Sequence, residues 1–368
     1  MKKILLLLFL AIFGFQASSQ AKLDSLLPVR GICMSAPKPD SLQYFLDFVK
    51  NELVPWNVNT IVLRIGYNYQ FKSHPELIGN NPLSKGEVNK IVKLCQANGI
   101  RLIPQINMFG HQSGRNRLGN LLNAYPQFDE TPNIKMPEEY VWPNPDFLYA
   151  KSYCPLHPDL HRVTFAVIDE IVKAFKADAF HAGMDEIFYM GEDQCPRCSG
   201  RDKAELFAGE VTAIRDHLAK NGIELWIWSD RLIDGKATGI GIWEASYNNT
   251  YRAIDMIPKD VVMNDWHYER ADPTAAYFAL KGFKVITCPW RFPDVTKVQL
   301  QMMLDFRKYA TKQVKDNYQG MMQTIWTSSE NFINQFYGRK PVDSGRRGGN
   351  WVETTKTLFE EINKLDTR

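Results

Sequence analysis

The sequence predicts an α/β protein, a single-domain (β/α)8 TIM barrel, on three observations. Strand-like and helix-like segments alternate along the 368 residues, the pattern of a parallel sheet with crossover helices. Eight strands can be counted this way, the number that closes a barrel. Glycine recurs where a helix gives way to a strand, as at Asn98-Gly99 and Asn221-Gly222, because a helix C-terminus favours a left-handed residue. An open doubly wound sheet is the alternative. No Gly-rich phosphate loop follows the first strand, which counts against its nucleotide-binding form.

The elements follow in order. Met-Lys-Lys, the apolar run Ile4 to Phe15, and Ala17 and Ser19 at the cleavage zone predict a signal peptide over 1–19. The run is too short to span a membrane. The expected protein is therefore exported, periplasmic or extracellular, with no stable membrane insertion and with the barrel over 20–368. Val29 to Met34 is the first strand. Asp40 is placed as cap of a helix over Leu42 to Leu53. Asn59 to Ile65 is a second strand, rich in β-branched residues. Ser84 and Glu87 form a capping box for a helix to Ala97. Ile100 to Ile106 is the third strand.

His157 to Ala177 is a helix leading into the strand Phe180 to Asp185. Lys203 to Lys220 is a helix before the strand Glu224 to Trp228, and Val261 to Trp266 is the sixth strand. A helix runs from Asp272-Pro273 to Gly282, then Lys284 to Cys288 is a strand. Val295 to Asn317 is helical and is closed by Gly320. Met321 to Trp326 is the last strand, and Thr354 to Leu365 the final helix. Met108 to Ser152 is a long connection rich in Gly, Asn, Pro and aromatics. Such loops are usually functional or disordered, and this one is expected to form a wall or lid.

The balance of charge, +3, and the lack of a basic stripe exclude a nucleic-acid partner. Cys33, Cys95, Cys154 and Cys288 are scattered, while Cys195-Pro-Arg-Cys198 forms a CxxC. In an oxidising compartment that pair reads as a small disulfide loop. A zinc site would need a second pair or suitably spaced histidines; none is seen, so no metal and no organic cofactor is expected.

In such barrels the chemistry sits at the C-terminal ends of the strands. Collected there are His111, Asp185-Glu186, Trp226, Trp228, Asp230, Asp265-Trp266-His267, Trp290-Arg291 and Trp326, with Trp243-Glu244 ahead of the sixth strand. Carboxylates move protons, and flat indoles stack on the C–H faces of sugar rings. Asp185-Glu186 could instead cap a helix, but the apolar Ile187-Phe-Tyr-Met that follows starts none. His181, between Phe180 and Ala182, taken alone reads as a buried structural histidine.

His181-Ala-Gly-Met-Asp-Glu186 resembles the His-x-Gly-Gly-Asp-Glu signature of family 20 glycoside hydrolases, the β-N-acetylhexosaminidases. Leu102-Ile-Pro-Gln-Ile-Asn-Met-Phe-Gly-His111 resembles that family's Ile-Pro-Glu-Ile-Asp-x-Pro-Gly-His, and Gly320 to Trp326 its last strand. The resemblance implies cleavage of β-linked N-acetylhexosaminides by a substrate-assisted retaining mechanism, an exception to the two-carboxylate scheme. Glu186 would be the acid and then the base; Asp185 would orient the acetamido group. The glycan would be gripped by Arg64, His111, His181, Trp228, Asp230, Trp266, Trp290 and Trp326.

The chain departs from the family pattern at Met184, Gln105 and Asn107, which replace a Gly, a Glu and an Asp. The first-strand Arg has no clear counterpart in Val29 to Met34, and Leu63 to Tyr67 replaces His-Trp-His-Leu. Trp326-Thr-Ser328 replaces Trp-x-Glu, with Glu330 two residues late. Arg64, Tyr67, Asp230, Asp265 and Arg291 are the candidate replacements. Three alternatives stand beside this reading. One is a retaining hydrolase with Asp230 or Glu244 as nucleophile, acting on sugars without an acetamido group. Another is a non-catalytic glycan-binding barrel. The last is a metal-dependent hydrolase using His111, His181 and His267, opposed by the lack of ligand spacing.

Overall fold

Alternate residues of each strand face opposite ways, and the strand sequences exploit this on two fronts. Ile32, Met34, Ile61, Leu63, Leu102 and Phe180 pack outward against helices. Val29, Cys33, Val62, Ile103, Ala179, Trp226, Trp228, Val262, Ile286 and Met322 pack inward on one another. A sheet apolar on both faces must be covered by helices outside and filled by side chains inside.

The computed structural model describes residues 21–140, 150–342 and 348–367, and the expected leader at 1–19 lies outside them. The strands are β1 Val29–Ser35, β2 Thr60–Arg64, β3 Arg101–Met108, β4 Ala179–Gly183, β5 Glu224–Trp228, β6 Val262–Asp265, β7 Val285–Thr287 and β8 Tyr318–Thr324. They form a closed barrel in sequence order, every neighbouring pair parallel. The main helices are α1 Leu42–Phe48, α2 Lys85–Ala97, α3 Leu160–Phe175, α4 Lys203–Ala219, α5 Thr274–Leu280, α6 Pro293–Tyr309, α7 Ser329–Phe336 and α8 Trp351–Thr367. Among the described residues no helix is long and apolar enough to cross a membrane.

The local expectations fare unevenly. The capping box of α2 forms: Ser84 Oγ accepts from the Glu87 N–H, and the Glu87 carboxylate accepts from the Ser84 N–H at 2.7 Å. Asp40 is not the cap of α1. It lies in a 3-10 turn, Pro39–Ser41, which puts Ser41 at the N-cap position. The single helix expected over 295–317 breaks, because Ala310 is extended (ψ 154°) and separates α6 from a short turn at Lys312–Lys315.

Gly320 does not close a helix. It lies within β8 at φ +141°, so tight against Val29 of β1 that a Cβ would collide with its carbonyl. The glycine is there to close the barrel seam. Arg30, the only arginine of β1, points to the opposite end of the barrel. Its guanidinium donates to the carbonyls of Leu27 and Asn57 and pairs with Asp24, so it cannot hold a ligand at the C-terminal mouth.

Candidate active site

The inward-facing rows end at the barrel mouth in Ser35, Arg64, Asn107, Trp228, Trp266, Trp290 and Trp326. β4 stops at Gly183, and the chain leaves it through left-handed residues, Gly183 at φ 71°, Met184 at 70° and Glu186 at 50°. That turn carries Asp185 and Glu186. The β3 loop returns over them, with Phe109 at φ 63° and His111 at 53°. Gly110 sits between these two because a Cβ there would come within 2.9 Å of the Asp185 carbonyl. The close approach brings His111 onto the acids.

His111 Nε2 lies 3.1 Å from Asp185 Oδ2 and 3.4 Å from Glu186 Oε2. Burial alone would lower the imidazole pKa. The charges of Asp185, Glu186 and Asp230, with the Asp185 hydrogen bond, outweigh it and raise the pKa to about 9. The converse holds for Asp185: burial pushes its carboxyl up, but the His111 charge and hydrogen bond hold it below the usual range. At neutral pH the corner therefore holds an imidazolium against an ionised Asp185. Asp185 Oδ1 is buried and has no hydrogen-bond partner among the described residues.

Asp230 fixes this corner from beneath. Its Oδ2 accepts from the Glu186 backbone N–H at 3.0 Å and from Arg231 Nε at 2.6 Å, and its Oδ1 accepts from Trp266 Nε1 at 3.3 Å. Burial raises its pKa, and the charge of Asp185 adds to this, against the opposing charge of Arg231. Both oxygens are engaged, so the side chain expected as a sugar contact or a nucleophile is instead a clamp on the Glu186 backbone. Glu244 is likewise engaged, 2.8 Å from His267 Nδ1, and Asp265 lies 3.3 Å from His267 Nε2 and accepts from Thr274. Asp265 thus serves this buried network and does not replace a sugar-binding acid.

His181 and Trp228, expected to touch the glycan, are fully buried. Their rings lie 4.5 Å apart, and His181 Nδ1 accepts from the Gly183 N–H. Burial pushes His181 down to about 3, so it stays neutral and serves as floor beneath the acids. This restores the reading that His181 drew when taken alone.

A cleft of about 820 Å3 opens over β2 and β3, within the usual size of a small-molecule site. Arg64, Tyr67, His111 and Trp326 line it, with neutral amides such as Gln105 and Asn107. The described part of the long loop after β3 forms one wall, through residues from His111 to Asn123. Asp185 and Glu186 do not line this cleft; His111, which does, touches both. Arg64 stacks 4.4 Å from the Trp326 ring and donates to Ser35 Oγ and the Ile325 carbonyl. Burial lowers its pKa.

Trp290 stands apart, stacked parallel to Trp351 at 6.2 Å and covered by Arg291 at 4.3 Å. Arg291 pairs with Glu269 at 3.4 Å. Tyr268 was missed by the sequence reading. Its hydroxyl accepts from Trp326 Nε1 at 2.8 Å, and its ring meets Trp266 and Trp290. The signal was its place two residues beyond Trp266, in the same inward row. Arg231 was missed too, although it directly follows Asp230.

The cysteines also differ from expectation. All six are free and buried, and no disulfide joins Cys195 to Cys198. Both sulfurs face the β3 loop, where they meet Cys154 and Glu130.

This fold, with paired acids at the end of β4, defines a glycoside hydrolase catalytic barrel. The sequence matches the glycosyl hydrolase family 20 catalytic domain over residues 64–358, and the chain belongs to that family. A β-hexosaminidase of Akkermansia muciniphila is 28% identical over 159 residues, 39% of this chain and 29% of that protein. β-Hexosaminidase subunit B1 of Dictyostelium discoideum is 28% identical over 246 residues, 60% of this chain and 39% of that protein. The matched regions thus span under two-fifths of these relatives. Among solved structures, a chitobiase of Flavobacterium johnsoniae superposes with a TM-score of 0.60 at 17% identity, covering 92% of this chain and 51% of that one. Dispersin B gives 0.51 at 15% identity, covering 92% of this chain and 99% of that one. These superpositions carry the fold.

Proposed function

We propose that the protein is an exported β-N-acetylhexosaminidase that works by substrate-assisted retention. The observation that carries this reading is the unpartnered Oδ1 of Asp185, beside a His111 shared with Glu186. A buried carboxylate oxygen without a donor is costly. The N–H of a 2-acetamido group supplies that donor. Asp185, held ionised by His111, orients the acetamido oxygen toward the anomeric carbon and stabilises positive charge as the oxazoline-like intermediate forms. Glu186 protonates the departing glycosidic oxygen, then takes a proton from the water that opens the intermediate. The acetamido oxygen attacks opposite the leaving group and water then attacks from the side it left, so two inversions return the starting configuration.

The relatives' names support the same class, since both are called β-hexosaminidases. Residues 1–19 support export by their composition. The polar, amide-lined cleft suits a ligand rich in hydroxyls.

Aryl β-N-acetylglucosaminide and β-N-acetylgalactosaminide, with the deacetylated sugars as controls, test the reading. Turnover confined to the acetamido sugars supports it; equal turnover of the deacetylated ones refutes it. One feature favours a second reading, a glycan-binding barrel without turnover. Gln105 donates to Asn107 at 3.1 Å, so two mouth residues engage each other where the family carries acids. Saturable glycan binding with no hydrolysis would select it.

A further inference from the structure

Glu130, Cys154, Cys195 and Cys198 converge from two loops, far apart in sequence. Each offers one ligand atom, and these four atoms lie within 4.8 Å of one another; all four residues are buried. The Sγ atoms of Cys154 and Cys198 are 3.4 Å apart. Two thiolates on one tetrahedral zinc, with bonds of about 2.3 Å, would be separated by about 3.8 Å. Glu130 is fully buried and half satisfied. Its Oε1 accepts from the backbone N–H groups of Gly191 and Glu192 at 2.9 and 3.2 Å. Its Oε2 has no N–H or O–H donor among the described residues, and the other groups on the carboxylate are the Cys195 and Cys198 thiols. Backbone donors on one oxygen and an open second oxygen are how an outer shell aims a carboxylate at an ion.

We propose that Glu130, Cys154, Cys195 and Cys198 form a structural site for a thiophilic divalent cation, zinc by preference. Four protein ligands leave no open position, so the site is closed and structural rather than catalytic. Binding displaces the thiol protons. The ion ties the β3 loop, which supplies Glu130 and Cys154, to the loop after β4, which supplies the CxxC. These are the loops that carry His111 and the acid pair. The geometry that holds the chemistry would thus be fastened from behind.

The test uses the full chain, purified with its thiols reduced. Titration with Zn2+ should reach one equivalent per chain, and Co2+ in its place should give the visible absorption of a tetrahedral thiolate site. Removing zinc by chelation should lower the melting midpoint, and restoring one equivalent should recover it. Cys198→Ser and Glu130→Gln should abolish or weaken uptake, while Cys95→Ser, in α2, should leave it intact. Because Cys198→Ser could fail to fold, the wild-type titration decides on its own. Failure of the reduced wild-type chain to take up either metal overturns the proposal. So does metal-free exported protein in which mass spectrometry finds a disulfide among these three cysteines. Uptake unchanged by both Cys198→Ser and Glu130→Gln also overturns it.

Discussion

On the β4–β5 side of the mouth, each reactive group is held by a neighbour that is itself held. His111 spans Asp185 and Glu186, Asp230 grips the Glu186 backbone, and Arg231 and Trp266 grip Asp230. On the β2–β3 side, the wall is made largely of neutral amides, with Arg64 resting on Trp326 and with Arg117 and Glu76. One side is a charged, closed network; the other is polar, open and adjustable. The chain keeps the Asp-Glu pair in the first region, with Met184 in place of a Gly, and carries Gln105 and Asn107 in place of acids in the second.

Removing the reacting groups tests the closed side most severely. Glu186→Gln is expected to lower kcat by about 10²- to 10⁴-fold on an aryl β-N-acetylglucosaminide, with KM little changed. Asp185→Asn should do similar damage. A loss under tenfold in either would move the chemistry away from β4. Next, Asp230→Ala should destabilise the protein by about 3–5 kcal/mol, because it leaves the buried Arg231 unpaired. Denaturant unfolding reads this, and wild-type stability would show that the clamp is not holding the corner.

A pH effect follows from the same network. His111 titrates at about 9 and His267 at about 10 in the fold, against about 6.5 in an open chain. Their imidazolium forms are favoured by folding. That contribution is present in full below about pH 6.5 and is lost as pH rises through 9 to 10. Urea midpoints should therefore fall across this window, and His111→Gln should flatten part of the decline. The smallest effect is expected on the open side. Trp326→Ala should weaken substrate binding by about 0.5–1.5 kcal/mol, read as a higher KM at nearly constant kcat. A kcat collapse instead would erase the distinction between the two regions.

The barrel was legible because its signals are local. β5 falls at Glu224–Trp228, where its apolar run put it, and the Ser84–Glu87 capping box is complete within one turn. The acid pair was legible because a strand end is a position the sequence reveals. What stayed hidden depends on distance. Whether Asp230 reaches a sugar or a backbone N–H is decided by Glu186, 44 residues away. Whether the CxxC closes on itself or turns to a third cysteine is decided by Cys154. Trp228 and Trp326 look alike in sequence, yet one is fully buried and the other 37% exposed. That difference follows from their depth along the inward rows.

Four non-glycine residues around the acid pair, Phe109, His111, Met184 and Glu186, have left-handed backbones. Each such residue costs about 1–3 kcal/mol unless its surroundings compel it. Heat should therefore act unevenly on the molecule. This corner is expected to relax while the β-sheet persists, so catalysis should fade on warming several degrees before the far-ultraviolet circular dichroism does. Loss of both signals at one temperature would mean that the corner is as strong as the barrel that carries it.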